Sequence, residues 1–552
     1  MEEKRVLITR NLKVGALDAE ADTELLSRCF VDNGYIKQLM DVDSPESIIV
    51  GRTGSGKSAL IYRVSIAAQK YVKLDPNDIS IRFLEYSDII QFFDALGINL
   101  DIFYRLLWRH ILTVEFLKLR YDIKSDGESR GVLDTLLNTF SRDAAKRKAV
   151  EYFNEWGNKF WLDTDQHLKE ITRKLEADTK GSIGAKYAGM DLSLEGARRL
   201  SDEERFEVKQ RASQVVNGLQ IRKLNELLEL LSEHAFSDPQ KKFFVLIDQL
   251  DEDWASTDTR VRFIRALIEE IKTFRKIRQV KIIAALRKDL LDQVFDQTRD
   301  SGFQEEKYES YLLTLKWSPE DLFKLIELRV NEVFKSQYTR QLIKFDDVFP
   351  KPKKGGGQTA IDFIIERTLR RPRDVLQFVN ECFTIAYERE RVSWRAMIAA
   401  EAQYSEKRVK SLKEEWGEIY PSFEDTVEIL RGIKATFTKS MIKDSRLEEV
   451  MIALAEGASN DPCVGVVKKY YGSSSATESD VLIAMLACLY RVGALGLKTS
   501  TAETYIWSYI DQAAVTKGEV KRTEHLKVHK MLYRALDIIV DQHELPDVEF
   551  VD

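Results

Sequence analysis

The stretch Ser47-Ile48-Ile49-Val50-Gly51-Arg52-Thr53-Gly54-Ser55-Gly56-Lys57-Ser58-Ala59-Leu60-Ile61 decides the fold of this chain. An apolar run leads into a loop with glycine at 51, 54 and 56, and helix-forming residues follow. Read in order, this is strand, glycine-rich loop and helix. Successive backbone N–H groups converge on an anion only where the chain takes dihedrals that glycine adopts without strain. The N-terminus of the following helix adds its dipole and its unpaired donors. The pattern G-x-x-x-x-G-K-S thus predicts a phosphate-binding loop formed by Gly51, Arg52, Thr53, Gly54, Ser55, Gly56, Lys57, Ser58 and Ala59. Lys57 is expected to reach the β- and γ-phosphates and Ser58 to ligate Mg²⁺. The chain lacks an N-K-x-D guanine motif, so ATP is the expected nucleotide.

Downstream, Lys241-Lys242-Phe243-Phe244-Val245-Leu246-Ile247-Asp248 is a continuous apolar run ending in a carboxylate, the pattern of a central strand buried on both faces. Asp248 at its C-terminal end is the second expected Mg²⁺ residue, a Walker B aspartate. Hydrolysis also needs a carboxylate to orient or deprotonate water. Asp251 and Glu252 are the candidates, because Gln249 occupies the position directly after Asp248.

Further strands are predicted over Ile79–Leu84, Val280–Arg287 and Tyr311–Lys316, with helices over Ile102–Tyr121 and Arg260–Lys276. Strands alternating with helices imply a parallel sheet covered on both faces. Before the loop, Leu25–Phe30 and Ile36–Met40 are short helical patterns. His110 falls on the apolar face of its helix, as a packed histidine rather than a metal ligand. Between Lys124 and Pro239 the chain becomes charge-rich and helical, over roughly Ser141–Ala177 and Ser201–Ala235, around a softer segment Thr179–Arg199. Its stripe Leu219, Ile221, Leu224, Leu227, Leu228 and Leu231 reads as the inner face of a helical insertion, and its charged faces as solvated surface or a partner surface.

Beyond a basic glycine-rich loop, Lys351–Gly357, an arginine cluster Arg370-Arg371-Pro372-Arg373 opens a helix. From Phe437 the chain reads as helices with a β-wing. In it Leu495–Lys498 pairs with Tyr505–Tyr509, His525–His529 adds a third strand, and a last helix starts at Lys530. Lys517, Lys521, Arg522, Lys527 and Lys530 make that edge basic. DNA contact and protein docking are the two alternatives for it.

The 552 residues exceed one hydrophobic core and call for several domains. With 44% hydrophobic residues, 32% charged and a net charge of −6, the composition is that of a soluble protein and excludes a polybasic nucleic-acid binder. Four dispersed cysteines without a C-x-x-C pair predict neither disulfide framework nor zinc site. Met1–Arg5 opens no signal peptide and Val481–Tyr490 is too short to span a bilayer, so a cytoplasmic protein without membrane contact is expected.

The motif order resembles the bacterial regulatory P-loop ATPases of the Orc-like, STAND and KAP group, over roughly residues 25–120 and 240–545. The run Asp248-Gln249-Leu250-Asp251-Glu252 resembles the D-x-h-D-E form of NACHT and other STAND proteins, although those prefer a small residue where Gln249 stands. On this resemblance Arg287 takes the place of sensor 1 and Arg373, with Arg371 second, that of a γ-phosphate sensor in a lid helix. It implies an α/β fold: a parallel-sheet P-loop core in two parts (1–123 and 240–330), a helical insertion (124–239), a helical lid (331–436) and a winged-helix-like domain (437–552). It further implies a slow Mg²⁺-dependent ATPase switch in anti-phage defence that self-associates or engages a partner effector. The alternatives are an Orc-like DNA-binding ATPase and a nucleotide-stabilised scaffold without turnover.

Overall fold

The computed structural model describes residues 6–76, 86–123, 164–183, 190–218, 221–252, 254–298, 306–337, 342–352, 357–473, 475–498, 500, 503–510 and 515–541. The described chain forms two compact units. A core unit comprises Asp32–Arg52 and Lys57–Leu315, and a C-terminal unit comprises Met1–Val31, Thr53–Gly56 and Lys316–Asp552.

The core unit is built on a parallel sheet of β1 (Ile48–Gly51), β2 (Lys70–Leu74), β3 (Phe243–Ile247), β4 (Val280–Arg287) and β5 (Leu312–Thr314), in the order β2-β3-β4-β1-β5. Every residue of β1 and β3 is buried, as their unbroken apolar runs require in a sheet covered on both faces. The helices Lys57–Ala67, Thr257–Phe274 and Lys288–Gln297 pack on β4, and Asp101–Tyr121 packs on β2 and β3. β4 therefore lies between the strand that opens the glycine loop and the strand that ends at Asp248.

Several expectations shift. The sheet's second strand is Lys70–Leu74, while the segment predicted for it, Ile79–Leu84, lies outside the described residues. β2 is an edge strand whose first residues are exposed, so its Lys-Tyr-Val-Lys-Leu run lacks the apolar signature of a buried strand. Within the insertion, Thr179–Ile183 continues the helix Thr164–Ile183 instead of softening it. Ile171, Leu175 and Ile183 are buried at helical spacing, and that packing outweighs the helix penalty of Gly181. Leu227, Leu228 and Leu231 of the predicted stripe are buried in the same core cluster as the sheet. The stripe's Leu219 and the stretch Ser141–Asp163 lie outside the described residues. His110 is buried in its helix, and among the described residues no cluster suited to a metal ion occurs.

The C-terminal unit gathers the segment Val6–Val14, the helices Thr23–Arg28, Pro319–Gln337, Ala360–Glu366, Pro372–Ile385 and Trp394–Trp416, and a second sheet into one apolar cluster. That sheet consists of β6 (Thr436–Thr438), β7 (Leu495–Lys498) and β8 (His525–Val528) in the antiparallel order β6-β8-β7, and the helix Glu478–Val492 leads into β7. The predicted hairpin partner Tyr505–Tyr509 meets β7 through a single bridge, Leu497 to Ile506. The ladder goes to β8, because it pairs with both β6 and β7 and gives the sheet a centre. The last helix shortens to a 3₁₀ turn, Lys530–Leu532. Beyond it Asp537 takes φ +51°, and Ile539 hydrogen-bonds to Ile433 and Ala435, which draws the chain into an extended path. Among the described residues, no helix is long and apolar enough to cross a membrane.

Candidate phosphate-binding site

In the core unit the register places Gly51 opposite Arg287. Lys57 starts the helix after the loop and is buried. Burial lowers its pKa, an effect that the carboxylates of Asp251, Asp248 and Asp289 partly oppose. Its Nζ donates to the carbonyl of Arg52 at 3.3 Å. The Ser58 hydroxyl is hydrogen-bonded to Asp248. Burial raises the Asp248 pKa, against the Gln249 N–H, the Ser58 hydroxyl and the charges of Lys73 and Lys57. A buried cation, a hydroxyl and a carboxylate thus converge at the ends of β1 and β3, the donor set that a phosphate and a hard divalent cation require.

The two proposed water-activating acids differ in their surroundings, Asp251 half-buried and Glu252 exposed. Gln249 adopts φ +61° and its N–H donates to Asp248 at 3.0 Å. This left-handed residue turns the chain so that Asp251 is the carboxylate acting most strongly on Lys57. Asp251 lies 3.9 Å from Arg287 Nε. Glu252 is exposed, and its carbonyl accepts from Arg260 at 3.0 Å. Arg287 is paired with Asp289 through two of its nitrogens, Nε at 3.1 Å and Nη2. Lys57, Ser58, Asp248, Asp251 and Arg287 come together in this unit.

The middle of the loop, Thr53–Gly56, groups with the C-terminal unit. There the Thr53 carbonyl accepts from Arg371 Nη1 at 2.7 Å, the Gly54 carbonyl from the Arg373 N–H at 3.3 Å, and the Ser55 carbonyl from Trp317 Nε1 at 2.8 Å. Gly54 and Gly56 have φ of +74° and +97°. The side chain of Arg373 lies against Gly54, and its Nε donates to the Leu17 carbonyl at 3.0 Å. Thr53 Oγ1 and Ser55 Oγ are buried without a protein partner. Two glycines in left-handed dihedrals and two buried hydroxyls in one short loop fit a multiply charged oxyanion.

Behind that loop stands a buried ionic cluster. Asp374 accepts from Arg371 Nε at 3.0 Å and Nη2 at 3.2 Å, and from Arg408 Nη1 at 3.0 Å. Glu415 accepts from Arg371 Nη1 at 2.8 Å and Arg408 Nη2 at 3.1 Å. Burial would lower the Arg371 pKa, but Asp374 and Glu415 more than reverse it. Burial would likewise raise that of Asp374, but Arg371 and Arg408 hold it below the usual carboxylate range. Of these residues only the Arg371–Arg373 run carried a sequence signal. Trp317, Arg408 and Glu415 are contributed by distant helices and turns, where no spacing rule singles them out.

The C-terminal unit also supplies a family match: residues 320–413 fit the model of the FunZ-associated C-terminal helical domain. This segment runs through the helices that carry Arg371, Arg373 and Arg408. An 80.3 kDa protein ascribed to the gamma-delta transposon in Escherichia coli (strain K12) is 23% identical over 540 residues, covering 95% of this chain and 67% of that protein. Among solved structures, a Walker-type ATPase of Pyrococcus abyssi is similar at 13% identity, with a TM-score of 0.33 over 87% of this chain and 93% of the other.

Proposed function

We propose that this chain is a Mg²⁺-dependent ATPase that works as a conformational or assembly switch. The observation that carries the proposal is the convergence of Lys57, the Ser58–Asp248 hydrogen bond and Asp251 at the C-terminal ends of β1 and β3, two parallel strands of one sheet. In this reading Lys57 and the amides of Gly51–Ala59 hold the phosphates. Ser58 and Asp248 hold Mg²⁺, which when bound neutralises phosphate charge. Asp251, the less exposed of the two acids, orients the attacking water. Arg287 and Arg373 report the nucleotide state, each by exchanging its present partner, Asp289 or the Leu17 carbonyl, for phosphate.

The helices from Pro319 to Trp416 serve as the lid, and β6–β8 with the helix Glu478–Val492 as a winged-helix-like module. That helix begins with Glu478 and Asp480 and is buried along most of its length. Lys530 is paired with Glu366 at 2.6 Å. Both features favour docking of the module onto protein over insertion into a DNA groove. We assign the switch to prokaryotic anti-phage defence with a partner effector, on the motif resemblance and on the similarity of residues 320–413 to the FunZ-associated domain.

A second reading, a nucleotide-stabilised scaffold without turnover, is favoured by Gln249 and by the Arg287 guanidinium beside Asp251. Mass photometry and phosphate release on wild type, Lys57→Ala and Asp251→Asn, with and without Mg²⁺ and ATP, decide between them. The switch predicts a nucleotide-dependent mass change that Lys57→Ala abolishes, with phosphate release at least about 100-fold slower in Asp251→Asn. Nucleotide binding with fixed mass and no phosphate establishes the scaffold.

A further inference from the structure

The three carbonyls at the crown of the loop are held in sequence: Thr53 by Arg371, Gly54 by the Arg373 N–H, Ser55 by the Trp317 indole. In a trans peptide the carbonyl of one residue and the N–H of the next point to opposite sides of the chain. Each bond that draws a carbonyl to one side therefore turns the N–H of Gly54, Ser55 or Gly56 to the other. The same peptide planes carry Gly54 at φ +74° and Gly56 at φ +97°. Three successive N–H groups turned to one side make an anion nest.

We propose that Trp317 and Arg371 are positioning residues that hold the phosphate nest in its binding geometry before nucleotide arrives. The proposal rests on the nucleotide reading of the loop. It assigns Arg371 a different task from γ-phosphate sensing. Its nitrogens are engaged by Asp374, Glu415 and the Thr53 carbonyl, and its side chain is buried, as are those of both acids. Arg408 braces Asp374 and Glu415 from behind, which fixes the Arg371 fork in the plane that meets Thr53. Trp317 acts alone on Ser55. Its ring lies near Gly56, where an added Cβ would sit 3.8 Å from it. A preorganised nest loses less freedom when phosphate binds, so these residues act on affinity without touching the ligand.

The test is binding of fluorescently labelled ATP with Mg²⁺ by full-length wild type, Lys57→Ala, Trp317→Phe, Arg371→Lys and the Lys57→Ala/Trp317→Phe double variant. Trp317→Phe keeps an aromatic side chain and removes the indole donor. It is expected to bind roughly 3- to 10-fold more weakly while its thermal midpoint stays within about 2 °C of wild type. Arg371→Lys keeps the charge and loses the fork, for a loss of roughly 10-fold or more. If Arg371→Lys does not fold, Trp317→Phe decides. The double variant should bind more tightly than the product of the single losses predicts, because Lys57 and the nest hold the same phosphates. Wild-type affinity in Trp317→Phe alongside a loss in Lys57→Ala overturns the positioning role and leaves the nucleotide reading standing. Strict additivity also overturns it, since the tryptophan would then act elsewhere. Equal affinity of wild type and Lys57→Ala removes the nucleotide reading, and this inference with it.

Discussion

A buried guanidinium cluster in the core unit and another in the C-terminal unit use the same parts to different ends. In the core, Arg109 grips Glu270 with Nε at 2.6 Å and Nη2 at 2.7 Å, Arg105 adds a contact at 3.1 Å, and Nη1 reaches Asn225 at 2.5 Å. Every partner is a side chain of a helix, so the cluster only fastens helices together. In the C-terminal unit Arg371 makes an equivalent fork on Asp374, but one of its nitrogens continues to the backbone of Thr53. Buried ion pairs contribute little net stability, yet losing one partner strands the other charge. The first cluster should therefore matter to folding alone, and the second to folding and to the loop.

Glu270→Ala and Asp374→Ala break that comparison most directly. Each is expected to lower unfolding free energy by roughly 3–5 kcal/mol in urea titrations, because Glu270→Ala takes the buried Arg109 from its carboxylate and Asp374→Ala leaves Arg371 and Arg408 to share Glu415. At temperatures where both variants remain folded, Asp374→Ala should also bind Mg²⁺-ATP at least about 10-fold more weakly. Glu270→Ala should stay within about twofold of wild type. Equal affinities in the two variants would erase the distinction.

Acid sharpens the contrast next. Burial lowers the His529 pKa to about 3, with Nε2 at 2.9 Å from the Tyr509 hydroxyl and Nδ1 accepting the Met531 N–H at 3.1 Å. A histidine depressed in the fold contributes stability that is complete above its unfolded pKa, about 6.5, and drains away as pH falls toward 3. The C-terminal unit should lose a few kcal/mol, by order of magnitude, across that window. The Asp374 cluster adds to the loss only at the acid end, because a carboxylate held below the usual range starts to lose its contribution as pH falls past the unfolded value of 3.8. His529→Gln should flatten the acid limb in denaturation curves taken at stepped pH; an unchanged limb would assign it to other groups.

Sequence legibility followed the same divide. The glycine loop, the Asp248 strand and the helix Asp101–Tyr121 were readable because their signals are local: a fixed spacing, an unbroken apolar run, a 3.6-residue stripe. β2 escaped because an edge strand needs only a few buried residues. The β7–β8 ladder escaped because its partner lies beyond the nearer, hairpin-like segment Tyr505–Tyr509. At the candidate site, the approach of Lys57, Ser58 and Asp248 to one another was legible in their motifs, and the different surroundings of Asp251 and Glu252 were not, since they depend on the left-handed turn at Gln249. Trp317 carried no such signal, since the residue it contacts, Ser55, lies 262 positions away.

Two smaller substitutions probe backbone geometry. Gly54→Ala would place a Cβ 2.7 Å from Arg373 Cβ at φ +74°, and roughly 1–2 kcal/mol of strain should appear as about 10-fold weaker nucleotide binding. Gln249→Gly relieves φ +61° and should raise stability by about 0.5 kcal/mol, the strain removed exceeding the entropy that glycine adds to the unfolded chain. A destabilised Gln249→Gly would show that the glutamine side chain outweighs its backbone.

The crown of the loop is tied to residues 262 and 318 positions further along the chain. During synthesis the core unit is complete once Leu315 has emerged, and its sheet can form from there. Trp317 follows at once, but Arg371, Arg408 and Glu415 arrive later, and the ribosome adds only about 5–20 residues per second. On the proposed nucleotide reading, competence to hold phosphate is thus acquired late, after the sheet that displays the loop, and a nascent chain halted before Arg371 would carry the motif in full without these braces.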